Sequence, residues 1–293
     1  MVMNKLIYIL IANILTIGLV SCSSQPDPAA KINIENHGVH IAYTDNGKSD
    51  TTLLFVHGWC INKSYWSAQV AFFSKKYRVV TIDLPGFGES GKNRSSWNSR
   101  IFGKDVNEVI NQLKLKHVIL IGHSMAGDIV LQSAINAPKQ VIGIVGVDNF
   151  KNVGSGAAKK PSRADEQDYA NAISAFKHHF KTSAADYVNH YLFYKTTSDE
   201  VRKRVLNDVS HADSVIATAC LENDNFDERA KLLKSKKKIY LINSDYTPTD
   251  TSGLKADGIH YQVFYMHDTG HFPMVEKPND FNVLLAQVLK GIK

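Results

Sequence analysis

Cysteine is scarce in this chain, with 3 among 293 residues. That excludes a small scaffold held by a disulfide framework, and no cysteine stands at metal-ligand spacing to another. Cys60 and Cys220 read as buried thiols, with a pairing left open. Proline is sparse at 8, and no segment recurs at a fixed period, which excludes solenoids and propellers. Charge of one sign is nowhere concentrated. The formal net charge of +6 is scattered, with one short basic run at 234–238, so no nucleic-acid partner is expected. Long apolar runs are missing too, with one exception near the N-terminus.

That exception is the 15-residue stretch from Leu6 to Val20, preceded by Lys5 and interrupted by Asn13, Thr16 and small residues. It is short of the roughly 20 residues a bilayer span needs and fits the apolar core of a secretory signal. It ends in Leu19-Val20-Ser21-Cys22, which resembles the lipobox of bacterial lipoproteins. The resemblance implies cleavage before Cys22, lipidation of its thiol, and a cell-envelope location with the membrane as partner. The expected organisation is a signal at 1–21, a polar tether at 22–30 and one domain at 31–293.

What is present is an ordinary core fraction, 44% hydrophobic residues, arranged as strands alternating with helices. A hairpin over Ile32–Ile34 and Val39–Tyr43 is followed by apolar strands at Thr52–Val56, Tyr77–Ile82, Lys116–Ile121, Val141–Val147, Lys237–Ile242 and Tyr261–Met266. Helical periodicity fills the intervals. This order predicts an α/β fold with a mostly parallel eight-stranded sheet covered by helices on both faces. After the sixth strand the pattern breaks into helices over about 151–211. An insertion there predicts a helical cap above the C-terminal edge of the sheet, where open α/β sheets bind ligands.

The chemistry concentrates at Gly122-His123-Ser124-Met125-Ala126-Gly127, between the fifth strand and the helix that follows. A serine on such a turn projects its hydroxyl from the sheet edge beside the first free N–H of a helix. A hydroxyl is a weak nucleophile, so Ser124 requires a base and the base an orienting acid. His271 follows the last strand and Asp245 the strand before it, both at the edge that carries Ser124. Asp148 ends another strand at that edge and stands as the alternative acid; Asp250 is a third candidate. The backbone N–H groups of Met125 and of Trp59, in His57-Gly58-Trp59, are the candidate oxyanion donors. His57 reads as a loop-ordering residue, His123 as packing in the elbow and Asp83 as the cap of its turn.

Taken in order, His57-Gly58-Trp59, the turn from Asp83 to Gly91, the elbow at 122–127, the Asp245 turn and Gly270-His271-Phe272 resemble the capped α/β-hydrolases from about Lys31 onward. Ala126 departs from the family pattern, which has glycine there. The resemblance implies cofactor-free hydrolysis of a small-molecule ester or related acyl bond through an acyl-enzyme. Dehalogenases and epoxide hydrolases of this fold carry a carboxylate at the nucleophile position, where this chain has a hydroxyl. C–C bond hydrolysis, perhydrolysis or lyase chemistry on the same triad remain alternatives, as does a non-catalytic binding module.

Overall fold

The computed structural model describes residues 33–47, 49–154, 163–222 and 226–292. The expected signal, tether and Cys22 lie outside them. Short strands β1 (Glu35–Asn36) and β2 (Val39–His40) form a two-residue antiparallel ladder. Their turn places both His37 and Gly38 at positive φ, 50° and 77°, as a tight hairpin turn of this hand requires. The hairpin does not join the main sheet, so among the described residues the sheet has seven strands rather than the expected eight. The flanking Ile34 and Ile41 are fully buried and anchor it to the core instead.

The seven strands are β3 (Tyr43–Asp45), β4 (Thr52–Val56), β5 (Arg78–Ile82), β6 (Val118–His123), β7 (Val141–Val147), β8 (Ile239–Ser244) and β9 (Tyr261–Met266). Their spatial order is β3-β5-β4-β6-β7-β8-β9. Only β3 runs antiparallel, against β5; the other pairs are parallel. Strands β4, β6 and β8 are buried along their whole length, which is why they read as continuous apolar runs rather than as alternation. Helices α1 (Ser67–Phe73), α9 (Pro273–Glu276) and α10 (Pro278–Lys290) pack together, as do α2 (Ser99–Gln112), α3 (Ala126–Asn136) and α7 (Glu228–Ser235). The two groups cover the two faces.

The strand tips that matter are stepped in register. The Ser124 N–H donates to the Val147 carbonyl at 2.9 Å, Asp148 N–H to Ile242 at 3.1 Å, and Asp245 N–H to Met266 at 3.2 Å. Each bond carries the ladder one residue past a strand end. The residues following β6, β7, β8 and β9 therefore meet along one edge.

Above that edge lies the cap, built from α4 (Arg163–Tyr187, broken at His179), a π-turn at Val188–Leu192, α5 (Asp199–His211) and α6 (Ser214–Glu222). The sequence pattern ended it near residue 211. Helix α6 extends it, because it packs on α4 and its Ala217 carbonyl accepts the Trp59 indole N–H at 2.8 Å. Among the described residues, no helix is long and apolar enough to cross a membrane.

Candidate active site

Ser124 follows β6 directly and has φ of 53°, a left-handed conformation that costs a non-glycine residue energy. Close packing holds it there. A Cβ on Gly122 would lie 2.4 Å from the Ala126 carbonyl oxygen, and one on Gly127 would lie 2.2 Å from Asn149 Nδ2. These two glycines let the helix and the Asn149 side chain approach the turn. Ala126, the departure from the family pattern, is fully buried in the first turn of α3. Asn149 Nδ2 donates to the carbonyls of Gly122 at 3.1 Å and Ser124 at 3.3 Å, tying the backbone on both sides of the elbow. Sequence reasoning missed this residue, although it directly follows Asp148.

Ser124 and His271 line one cavity of about 230 Å³, together with Trp59 and Met125 from the core and Tyr187 and Leu221 from the cap. Among the described residues the backbone N–H groups of Trp59 and Met125 donate to no protein acceptor. His57 behaves as expected of a loop organiser. Its Nε2 accepts the Leu84 N–H at 2.9 Å, so the ring proton sits on Nδ1 and donates to the Gly58 carbonyl at 2.8 Å. Burial lowers the pKa of His57 below the ordinary histidine value and keeps the ring neutral in that role. Asp83 accepts the N–H groups of Lys63 at 2.7 Å and Glu89 at 2.9 Å, and pairs with the Lys63 ammonium.

The acid beside His271 is Asp148, not Asp245. Asp148 Oδ2 lies 2.5 Å from His271 Nδ1, while Asp245 pairs with His267, 2.6 Å away. Side-chain alternation is the reason. Ser244, the last residue of β8, points its hydroxyl at the Gly270 carbonyl, 2.5 Å away, so the next residue turns away from the site. Asp250 accepts the Ser252 N–H at the start of α8 (Ser252–Ala256). Asp148 has φ of 51°, which folds its side chain back under the tips of β8 and β9. Its Oδ1 accepts the Ser244 N–H at 3.0 Å and pairs with Lys151 at 2.7 Å. Burial alone would push this carboxyl up; the hydrogen bond and charge of His271, joined by Lys151, outweigh it and hold the pKa below the usual carboxylate value.

The loop carrying His271 is clamped from four directions. The His271 N–H donates to the Leu192 carbonyl of the cap at 2.8 Å, and its carbonyl accepts His123 Nε2–H at 2.7 Å. Glu276 receives the N–H groups of Gly270 at 3.0 Å and Phe272 at 3.2 Å. The Ser244 hydroxyl takes the Gly270 carbonyl. Glu276 and Leu192 carry no motif that sequence could have flagged. Cys60 and Cys220 are buried and not bridged to each other, and among the described residues no cluster of three metal-ligating side chains occurs.

His123 ties acid stability to this clamp. Its ring is buried, and that burial, reinforced by the neighbouring His271, pushes its pKa down to about 3. An unfolded histidine takes its proton near 6.5, so the unfolded chain binds more protons between those values. The stability this residue contributes is therefore complete above about pH 6.5 and lost as pH falls toward 3, at up to about 1.4 kcal/mol per unit. Urea midpoints at pH 7 and 5 should draw closer together in His123→Gln, which keeps an N–H donor but does not titrate. An unchanged gap would refute this assignment.

The family model described as alpha/beta hydrolase fold matches residues 51–278. The chain is 25% identical over 266 residues to the dihydrolipoyllysine-residue acetyltransferase component of an acetoin cleaving system from Cupriavidus necator, covering 87% of this chain and 67% of that one. Among solved structures, an esterase from Exiguobacterium antarcticum superposes with a TM-score of 0.74 at 20% identity, covering 88% and 98% of the two chains. Est816, described as an N-acyl homoserine lactone degrading enzyme, superposes with a TM-score of 0.72 at 22% identity, covering 87% and 99%. At these identities the two structures share the fold. The AB hydrolase superfamily protein YisY of Bacillus subtilis is 25% identical over 242 residues, covering 80% of this chain and 90% of that one, whereas some curated relatives match over less of their length, such as the hydrolase YugF of the same organism, of which 41% is covered.

Proposed function

The chain belongs to the alpha/beta hydrolase fold family, and we propose that it is a serine hydrolase of carboxylic esters or related acyl bonds. One observation carries the reading: Ser124, on its strained elbow, lines the same cavity as a histidine whose Nδ1 is held by a buried carboxylate. Asp148 fixes the proton on Nδ1 of His271, leaving Nε2 as the base that takes the Ser124 proton during attack on the carbonyl. The tetrahedral oxyanion is met by the N–H groups of Trp59 and Met125. His271 returns the proton to the leaving alcohol, and water repeats the sequence to free the acid. The esterase and lactone-degrading neighbours support acyl chemistry, as does the apolar cavity wall, which suits a neutral acyl group.

The N-terminal segment supports a further part of the reading, that the domain is tethered to a membrane through lipidated Cys22. One labelling experiment tests both parts. A fluorophosphonate probe should add to Ser124, read by mass spectrometry, and Ser124→Ala should take none. In cells the labelled protein should sediment with membranes, and Cys22→Ala should release it. A folded protein that the probe leaves untouched would refute the hydrolase reading, and a membrane-bound Cys22→Ala protein the tether.

A further inference from the structure

Resting on the acyl-transfer reading, we propose that Lys151 is a positioning residue of the site, whose ammonium locks Asp148 and sets the acid limit of activity. The lysine is almost wholly enclosed, with 14% of its side chain exposed. Beyond Asp148 Oδ1, its Nζ donates to Thr247 Oγ1 at 2.5 Å, to the Ser244 carbonyl at 3.2 Å and to the Thr247 carbonyl at 3.5 Å. It also lies 4.7 Å from the centre of the Tyr246 ring. Lys151 thus joins the end of β7 to the turn after β8, with the carboxylate that orients His271 held between them.

The charge has a consequence that packing does not. An orienting carboxylate favours the imidazolium that forms when His271 takes the serine proton. Here that carboxylate is shared with a cation, so the pair presents less net negative charge to the ring. The other titratable groups around it do not replace this effect. His123, whose ring lies 4.8 Å from that of His271, is neutral, and His57 behind it is neutral as well. The Tyr246 phenol, facing Asp148, has its pKa raised by burial and then by that carboxylate, with Tyr187 beyond it, and stays protonated. Glu276 is engaged by the backbone of the histidine loop. Removing the Lys151 charge therefore makes the His271 ring easier to protonate, and activity should be lost at a higher pH.

Two readouts test this on the full chain: NMR titration of the His271 ring, and the pH profile of kcat/KM on a p-nitrophenyl ester. In Lys151→Met the midpoint of both should move up by about one unit, so that below the wild-type midpoint the variant is about tenfold slower relative to its own plateau. Lys151→Arg keeps the charge and should restore the wild-type midpoint even if it lowers the plateau. A residue that merely packs would lower the plateau and leave the midpoint in place. Superimposable titrations of wild type and Lys151→Met overturn the inference. If Lys151→Met does not fold, a Lys151→Arg midpoint displaced from wild type does so. A wild type whose His271 titration shifts as stated in Lys151→Met, yet which neither cleaves esters nor takes the phosphonate probe, supports the electrostatic inference and sinks the acyl-transfer reading.

Discussion

Asp148→Asn is expected to lower kcat by about ten-thousand-fold, whereas Asp245→Asn should leave it within about twofold, the range of exposed substitutions away from special features. The difference lies in what each carboxylate touches. Asp148 accepts on both oxygens, from His271 on one side and from Ser244 N–H and Lys151 on the other. An asparagine must aim its NH₂ at one of these donors. Aimed at His271, it forces the ring proton onto Nε2, and the nitrogen proposed as the base can no longer accept one. Aimed at Ser244 and Lys151, it leaves a buried ammonium without its counter-ion. Asp245 is 43% exposed at its side chain, and its partner His267 is 73% exposed. Steady-state kinetics of the two variants, with thermal midpoints to confirm folding, separate the cases. A collapse of activity in Asp245→Asn with Asp148→Asn unaffected would return the acid to position 245.

The two candidate acids show where the sequence stops being informative. Ser124 and His271 were legible because their surroundings are local: a strand, a small-residue turn, a helix, and a histidine after the last strand. The sheet order followed from apolar runs separated by helices. Asp148 and Asp245 both end apolar strands at the same edge, and the pattern of apolar residues is identical in kind. What separates them is the left-handed backbone of Asp148 and the inward hydroxyl of Ser244, neither of which leaves a mark in composition or periodicity. Lys151, Asn149 and Glu276 were missed for a related reason. Asn149 and Lys151 reach backbone carbonyls far away in sequence, Gly122 and Ser244, and Glu276 takes the N–H groups of its own loop, Gly270 and Phe272; any polar residue could have stood there without disturbing a motif.

Gly58→Ala should lower kcat by about 10² to 10³ with little change in KM, the effect expected when an oxyanion donor is displaced, worth about 2.7–4 kcal/mol. Gly58 has no positive φ, so the demand for glycine comes from contact rather than conformation. An added Cβ would lie 2.8 Å from His123 Nδ1, 3.0 Å from the His123 carbonyl and 3.1 Å from Ser124 Cβ. None of these can yield. The His123 ring is wedged against Phe272 and Trp66, at 5.5 and 6.5 Å between centres, and its Nε2–H is spent on His271. Ser124 is pinned by Asn149 on its carbonyl and by Val147 on its N–H. The loop of His57 to Trp59 must therefore move, and it carries the Trp59 N–H away from the position the oxyanion occupies. The ester itself still fits, because the cavity wall from the cap is untouched, so binding is spared while the transition state loses a donor. The indole anchor to Ala217 resists the same shift, which should appear as a modest fall in thermal midpoint. A Gly58→Ala enzyme with wild-type kcat would mean that the Trp59 N–H takes no part, and that Met125 stabilises the oxyanion with a partner from elsewhere in the cavity.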